Sequence, residues 1–252
     1  MGSRLYLNVH LNFRGAGIET IVFFARPEDA GEEITVSNSA GYEETITLDE
    51  NGTAQLTLPE SVAMSGTGIN DLGLFIESDA DLSAYFSSRE RFTTDLSVVF
   101  REESLGTDYV LASVGGGFND GGQFSVQALE DATDVTFTLP DGQSATITLD
   151  RGETFKFSTT DGAGNDALGI SVPDDFDLTG TLVTASTPAA VFSGHGLADV
   201  GRGAADFLIE QMPAIDDLST SHIVGETFAE GSGNNLVRVI AALDGTEVTL
   251  DG

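Results

Sequence analysis

Apolar and polar residues alternate in many short segments of this chain. In Asp134–Leu139 every second residue is apolar and threonines lie between, and Ala145–Leu149 and Thr154–Ser158 show the same period of two. Successive side chains of a β-strand point to opposite faces, so this period predicts strands that bury one face and expose the other. The pattern is typical of a β-sandwich, in which each sheet has one buried side and one solvent-facing side.

Short strands are predicted along the whole chain. Turn dipeptides such as Asn51-Gly52 and Asp141-Gly142 separate them, which favours an all-β fold. The strands predicted in the first half are Ile21–Ala25, Glu32–Ser37, Glu44–Leu48, Ala54–Leu58, Leu72–Ser78, Leu82–Ser87, Leu96–Phe100 and Tyr109–Val114. Those predicted in the second half are Phe124–Leu129, Asp134–Leu139, Ala145–Leu149, Thr154–Ser158, Thr179–Ala185, Ala189–Ser193, Phe207–Met212 and His222–Phe228.

Three pairs of similar segments indicate an internal repeat. They are Thr45–Asp49 with Thr146–Asp150 (both TITLD, offset 101), Ile76–Tyr85 with Val183–Phe192 (offset 107), and Ser125–Leu139 with Val237–Leu250 (offset 113). The growing offset fits small loop insertions. Self-similarity at a fixed spacing is typical of modular arrays, which more often present binding surfaces than a single catalytic centre.

The repeat predicts four regions. These are an N-terminal extension over residues 1–18, a first β-rich unit over 19–122, a second over 123–234 and the truncated start of a third over 235–252. We expect each complete unit to be an antiparallel β-sandwich. A β-propeller with four-stranded blades is the alternative, because Leu96–Phe100 and Phe207–Ile209 are apolar on both faces, as strands covered on both sides are.

The chain is strongly acidic. Its 41 Asp and Glu residues against 10 Lys and Arg give a formal charge of −31. Nucleic acid is therefore excluded as a partner, because phosphate binding needs a basic surface. An anionic membrane surface is disfavoured for the same reason, and no apolar run is long enough for membrane insertion. The absence of cysteine excludes disulfides and zinc–thiolate sites.

The acidic side chains either serve solubility through mutual repulsion or include a Ca²⁺ site. The best calcium candidates are Asp161, Asn165 and Asp166, which could converge in the glycine-rich loop Thr160–Asp166. An ordinary acidic turn is the alternative, since the EF-hand pattern is absent. Apart from this calcium ion, no cofactor is expected.

Candidate ligand contacts are predicted at the ends of two strands. His195 lies in the segment Ser193–Gly196 (SGHG), where neighbouring glycines permit a ligand to approach closely. Ser193 is its neighbour, and Tyr85 and Phe86 occupy the related position of the first unit. A structural histidine that bonds to backbone is the alternative for His195.

Several blocks of sequence, in a fixed order, resemble the IgGFc-binding protein N-terminal domain family. They are residues 76–85 (IESDADLSAY), 105–112 (LGTDYVLA), 177–180 (DLTG), 188–195 (PAAVFSGH) and 206–213 (DFLIEQMP). The resemblance extends over about residues 21–250. Asp81 replaces a proline of the family pattern, and the cysteines of the animal members are absent. IgG binding is not implied, because no Fc-contacting residues can be matched.

The resemblance implies a non-enzymatic recognition and adhesion module that binds a protein or a glycan. It implies a place outside the cell or at the cell surface, as part of a longer protein, although this chain shows no signal peptide pattern at its start. Two alternatives remain open. One is a structural spacer or surface-array module stiffened by calcium, and the other is an enzyme that acts on polysaccharide through two carboxylates.

Overall fold

A computed structural model describes residues 2–12, 17–116, 121–199, 203, 205–225 and 237–250. The strands are β1 (Ser3–Leu7), β2 (Ile18–Phe24), β3 (Glu33–Ser37), β4 (Glu43–Thr47), β5 (Thr53–Leu58), β6 (Gly68–Asn70), β7 (Leu74–Ser78), β8 (Ser83–Glu90), β9 (Thr93–Val99), β10 (Asp108–Val110), β11 (Gly122–Ala128), β12 (Thr133–Thr138), β13 (Ser144–Leu149), β14 (Thr154–Ser158), β15 (Leu182–Ala185), β16 (Ala189–Ala198) and β17 (Asp206–Gln211). The helix α1 (Gly162–Ala167) is one turn and a half long, and short 3-10 turns lie at Pro27–Asp29, Glu60–Val62, Glu102–Ser104 and Ile215–Asp217.

These strands form four small antiparallel sheets, which confirms the all-β prediction. Sheet 1 has the order β1-β7-β3-β4 and sheet 2 the order β5-β2-β8-β9. Sheet 3 has the order β10-β15-β12-β13 and sheet 4 the order β17-β16-β11-β14-β6. The order of sheet 1 corresponds strand for strand to that of sheet 3. Sheet 2 corresponds likewise to sheet 4, to which β6 adds one edge strand.

Two hydrophobic cores hold the sheets together. The first core takes side chains from sheets 1 and 2, among them Leu7, Ile34 and Phe86, which are fully buried. The second core lies between sheets 3 and 4, where Phe124 stacks on Phe157 with ring centroids 5.3 Å apart. Alternate residues of each strand supply these side chains, as the period of two in the sequence predicts.

Sheet 4 serves both cores. Ala190, Phe192, Phe207 and Ile209 pack into the first core, whereas Val191 of the same sheet belongs to the second. Every residue of β11, β14 and β16 is buried. Sheet 4 is therefore a central layer, with the first sheet pair on one side and sheet 3 on the other.

The observed elements differ from the predicted ones in several places. β1 and β6 were not expected, β16 continues to Ala198, and residues 222–225 are not in a strand, while residues 226–228 of that predicted strand lie outside the described residues. Residues 237–250 also form no strand. A strand pattern becomes a strand only beside a partner edge, and residues 222–225 and 237–250 pair with none of the described strands.

The sheet boundaries also differ from the predicted regions. Ser3–Leu7, placed in an N-terminal extension, pairs with β7 as an edge strand of sheet 1. β10, placed in the first unit, pairs with β15 in sheet 3. We therefore use "first unit" for sheets 1 and 2 with residues 8–12, and "second unit" for sheets 3 and 4. None of the helices in the described residues has the length and apolar character needed to cross a membrane.

Candidate binding site

The structure buries most of the predicted contact residues, so their assignment as surface contacts is wrong. Ser193 and His195 are 1% and 0% exposed, and Phe86 is 0% exposed. The cause is that β16 does not end near residue 193 but runs on between its neighbours as an inner strand of sheet 4. Tyr85 alone of the four is accessible, at 39%.

His195 has the structural role that was the alternative prediction. Its Nδ1 accepts a hydrogen bond from the backbone N–H of Leu197 at 3.0 Å. Burial lowers the pKa of His195, because an imidazolium would lose its hydration there. The ring is therefore neutral near pH 7 and helps to shape the bulge that separates His195 from Ala198 in the pairing of β16 with β17.

The predicted calcium loop is organised by hydrogen bonds within the protein. Asp161 precedes α1 and accepts from the backbone N–H groups of Thr67 and Gly164 at 2.7 and 3.1 Å. Asn165 is buried and bonds to Thr67 Oγ1 and to the Ser158 carbonyl, whereas Asp166 is exposed. Within the described residues no three His, Cys, Asp or Glu side chains are grouped so that they could hold a metal ion. The geometry gives the calcium prediction no support, and it stays a prediction.

A buried polar layer lies between sheet 4 and the first unit. Asn8 Nδ2 donates to Ser125 Oγ at 3.0 Å, and His10 Nε2 lies 2.7 Å from the same oxygen. Lys156 on the neighbouring strand β14 is only 3% exposed. Burial and the charge of Lys156 hold the pKa of His10 well below its usual range. The sequence pattern predicted that this face of sheet 4 meets solvent, which is wrong because the first unit covers it.

A groove of about 1570 Å³ lies between the two units. Strand β1 and the residues after β9 line one side, and Leu129, Glu130 and Arg151 line the other. Four of the nine arginines of this acidic chain lie here, namely Arg4, Arg26, Arg101 and Arg151. Seven carboxylates line the same groove, so its net charge is negative, but positive charge is scarce in the sequence and four arginines lie together here. This concave surface is therefore the candidate binding site.

Three of these arginines are held by carboxylates of the first unit. Arg4 Nε lies 3.2 Å from Glu77, and Arg26 Nε lies 3.3 Å from Asp29. Arg101 pairs with Asp81 and donates through Nε to the Leu82 carbonyl at 2.8 Å. Such ion pairs at the surface contribute little stability, but they orient the guanidinium groups.

Arg151 has a different environment. No carboxylate oxygen of the described residues lies within 4.0 Å of its guanidinium. Its Cζ atom lies 5.9 Å from the ring centroid of Phe75, which is within the range of a cation–π contact. The Phe75 ring in turn contacts Tyr6 edge to face at 5.6 Å. Arg151 therefore presents a positive group whose planar face is supported and whose N–H donors are available to a ligand.

Gly152 allows this close arrangement. Its φ of 88° lies in the left-handed region, and a Cβ atom there would meet Ser39 Oγ and approach the Phe75 ring to 3.0 Å. Tyr6, below the ring, donates to Glu102 Oε2 at 2.5 Å. Burial and this carboxylate raise the pKa of Tyr6, so the phenol keeps its proton. The Arg151 end of the groove is thus a fixed platform with one available cation.

Comparisons with known proteins identify the family. The family model described as "IgGFc binding protein" matches residues 95–252, which is more than half of the chain. The chain belongs to the IgGFc-binding protein family. A curated relative, the IgGFc-binding protein of Homo sapiens, is 24% identical over 209 residues. That alignment covers 78% of this chain and only 4% of the human protein.

The resemblance predicted from sequence blocks is therefore confirmed, whereas the groove was not predicted. The family's name describes binding, which agrees with a non-enzymatic binding module. The groove residues come from distant parts of the chain, and none of the blocks that carry the IgGFc-binding resemblance includes Arg4 or Arg151. The sequence signal that could have indicated the groove is the small number of arginines in a chain of charge −31, because a cluster of them in the fold would be notable.

Proposed function

We propose that this chain is a non-enzymatic recognition module that binds a carboxylate-bearing protein or glycan in the arginine-lined groove. We further propose that it acts outside the cell or at the cell surface, as its membership of the IgGFc-binding family supports. The human relative is named for binding the Fc region of IgG. Fc is therefore one reasonable probe for this chain, although the alignment spans a small part of that protein.

The observation that supports this proposal is the available guanidinium of Arg151. An arginine recognises a carboxylate through two parallel N–H···O bonds, and such charge-assisted bonds are about twice as strong as neutral ones. The neighbouring Arg4 and Arg101 are paired with carboxylates, which leaves Arg151 as the cation that a ligand would meet, while Glu130 and Glu102 offer acceptors for amide or hydroxyl donors. Both a protein loop with an acidic side chain and an acidic sugar such as a sialic acid present this combination of groups.

The test is a binding measurement on the intact chain with defined probes. Immobilised sialylated mucin, the same mucin after removal of sialic acid, and IgG Fc are exposed to the wild type and to Arg151→Gln. We expect the variant to bind the recognised probe roughly tenfold more weakly, because it loses at least one charge-assisted hydrogen bond. Arg89→Gln is the matched control, since Arg89 is an exposed arginine on β8 and does not line the groove.

Each result has a definite meaning. Loss of binding with Arg151→Gln and retention with Arg89→Gln supports the groove as the site. Equal binding by both variants and the wild type shows that the ligand is held elsewhere. If none of the three probes binds the wild type, the recognition proposal fails for these ligand classes.

A further inference from the structure

Sheet 2 exposes a face of apolar and uncharged polar residues with a single arginine, which is unusual for so acidic a chain. Opposed residues in an antiparallel sheet share a face, so the register places Val22, Tyr85 and Val98 in one outward-facing row. Tyr85 and Leu96 are 39% and 55% exposed. The outward positions of the sheet, all in the described part of the chain, are Ile18, Thr20, Val22, Phe24, Thr53, Gln55, Thr57, Ser83, Tyr85, Ser87, Arg89, Thr94, Leu96 and Val98. None of them is Asp or Glu, although the chain has 41 such residues.

The corresponding face of sheet 4 is completely covered. Tyr85 corresponds to Phe192 and Leu96 to Ile209, because each pair occupies the same register position of corresponding strands. Phe192 and Ile209 are 0% and 1% exposed and belong to the first core. The same apolar positions are thus buried against the first unit in sheet 4 and open to solvent in sheet 2.

The contacts of Ser125 show one part of the surface that covers sheet 4, and β9 covers another part through hydrogen bonds to β17. Ser125 corresponds to Val22 and bonds to Asn8 and His10, which follow β1. In the second unit the residues that follow β10 correspond to these, with Ala112 in the place of Asn8. Ala112 is exposed. Each unit therefore has one sheet face that docks and one receiving segment after its first strand, residues 8–12 in the first unit and 112–116 in the second.

The end of the described chain approaches the second unit in the same way. Arg238 corresponds to Ser125 in the sequence similarity with offset 113. It donates to the Ser113 carbonyl and to Thr179 Oγ1, and it pairs with Asp177 at 2.9 Å. The receiving segment of the second unit thus already contacts Arg238 of its own chain, and a second copy would take the place of that contact. Residues 237–250 are otherwise largely exposed.

We infer that the exposed face of sheet 2 binds the receiving segment of the second unit of another copy of this chain. Charge supports this pairing, because Arg89 lies on the outward face of sheet 2 and the exposed Asp175 lies beside Gly116 on the receiving side. The two surfaces differ, so the contact is head-to-tail and builds linear assemblies instead of closed two-fold dimers. The inference concerns assembly and is independent of the ligand of the groove.

Sedimentation velocity of the full chain over a range of concentrations tests the assembly. We use about 0.3 M salt so that the repulsion between copies is screened. The wild type is expected to shift to larger species as concentration rises. The variant Tyr85→Lys/Leu96→Lys is expected to need at least tenfold higher concentration for the same shift. The control Thr146→Lys/Thr148→Lys adds the same charge to exposed positions of β13, at the edge of sheet 3 farthest from β10, and is expected to associate like the wild type.

A cross-linking experiment identifies the two surfaces. The chain has no cysteine, so Val22→Cys and Ala112→Cys each introduce a single thiol. Mixing the two variants under mild oxidation is expected to give a disulfide-linked heterodimer in at least fivefold excess over a mixture of Thr45→Cys with Ala112→Cys. A wild type that stays monomeric at about 200 µM overturns the inference. Equal yields in the two mixtures, or a dominant Val22→Cys homodimer, overturn it as well.

Discussion

Glu19 provides the sharpest test of the physical argument, because its carboxyl group is buried on the inner face of sheet 2. Glu19 lies on β2 and is 1% exposed. One carboxyl oxygen accepts from Ser88 Oγ at 2.9 Å, and the other has no hydrogen-bond partner among the described residues. Burial raises the pKa of Glu19 from 4.5 to about 7, and the nearby charge of Glu90 adds to the rise, while hydrogen bonds from Ser88 and Gly17 oppose it.

The sign of the pH dependence follows from this raised pKa. The folded state holds a proton on Glu19 between about pH 4.5 and 7, where the unfolded state has lost it. The stability that the protonated Glu19 carboxyl contributes is therefore fully present below about pH 4.5 and is lost as the pH rises through about 7. With 1.36 kcal/mol per pKa unit, the Glu19 contribution to unfolding free energy falls by about 2 kcal/mol between about pH 5.5 and pH 8.

Glu19→Gln removes the titration and is expected to remove this part of the pH dependence. Denaturant unfolding of wild type and variant at about pH 5.5 and pH 8 measures it. From about pH 5.5 to pH 8 the unfolding free energy of the variant is expected to rise by about 2 kcal/mol relative to that of the wild type. The changed hydrogen bonds shift the variant's stability equally at both pH values, so they do not affect this comparison. Glu43→Gln, at an exposed position of β4, is the control and is expected to show no such gain. An equal pH response of the wild type and Glu19→Gln would refute the reasoning.

Three further expectations concern stability. Phe192→Ala is expected to lower the unfolding free energy by about 3–5 kcal/mol and the corresponding Tyr85→Ala by less than about 1 kcal/mol, measured by denaturant unfolding; equal losses would contradict the assignment of buried and open faces. Gly152→Ala is expected to cost about 2 kcal/mol more than Gly142→Ala, because both have positive φ but only Gly152 meets neighbouring atoms. Asp161→Ala is expected to cost about 1 kcal/mol through its lost hydrogen bonds, equally in EDTA and in calcium, and a loss confined to calcium would instead indicate a bound ion.

The sequence predicted the local elements well because alternation reports directly on which side chains share a face. β12 and β13 were predicted within two residues, and their apolar positions Val135 and Phe137 lie in the second core. The similarity between Ile76–Tyr85 and Val183–Phe192 also corresponds to matching places in the two sheet pairs. The all-β class followed from many such strands separated by turns.

The burial of sheet 4 could not be predicted, because alternation does not distinguish solvent from a second protein surface. Lys156 between two phenylalanines is typical of a solvent-facing position, yet the first unit covers it. Ser193 and His195 were misplaced because glycines after residue 193 suggested a strand end, whereas β16 continues through them. The groove escaped notice because Arg151 of the second unit joins Arg4, Arg26 and Arg101 of the first only when the two units meet.

The double burial of sheet 4 has a consequence for how the molecule loses its structure. Because sheet 4 contributes to both hydrophobic cores, unfolding this sheet exposes both cores to water at once. The two units therefore cannot unfold independently, as domains joined by a flexible linker do. Heating or pulling should therefore release them together, in one cooperative event, and a proteolytic cut between β9 and β10 should leave neither half able to refold alone.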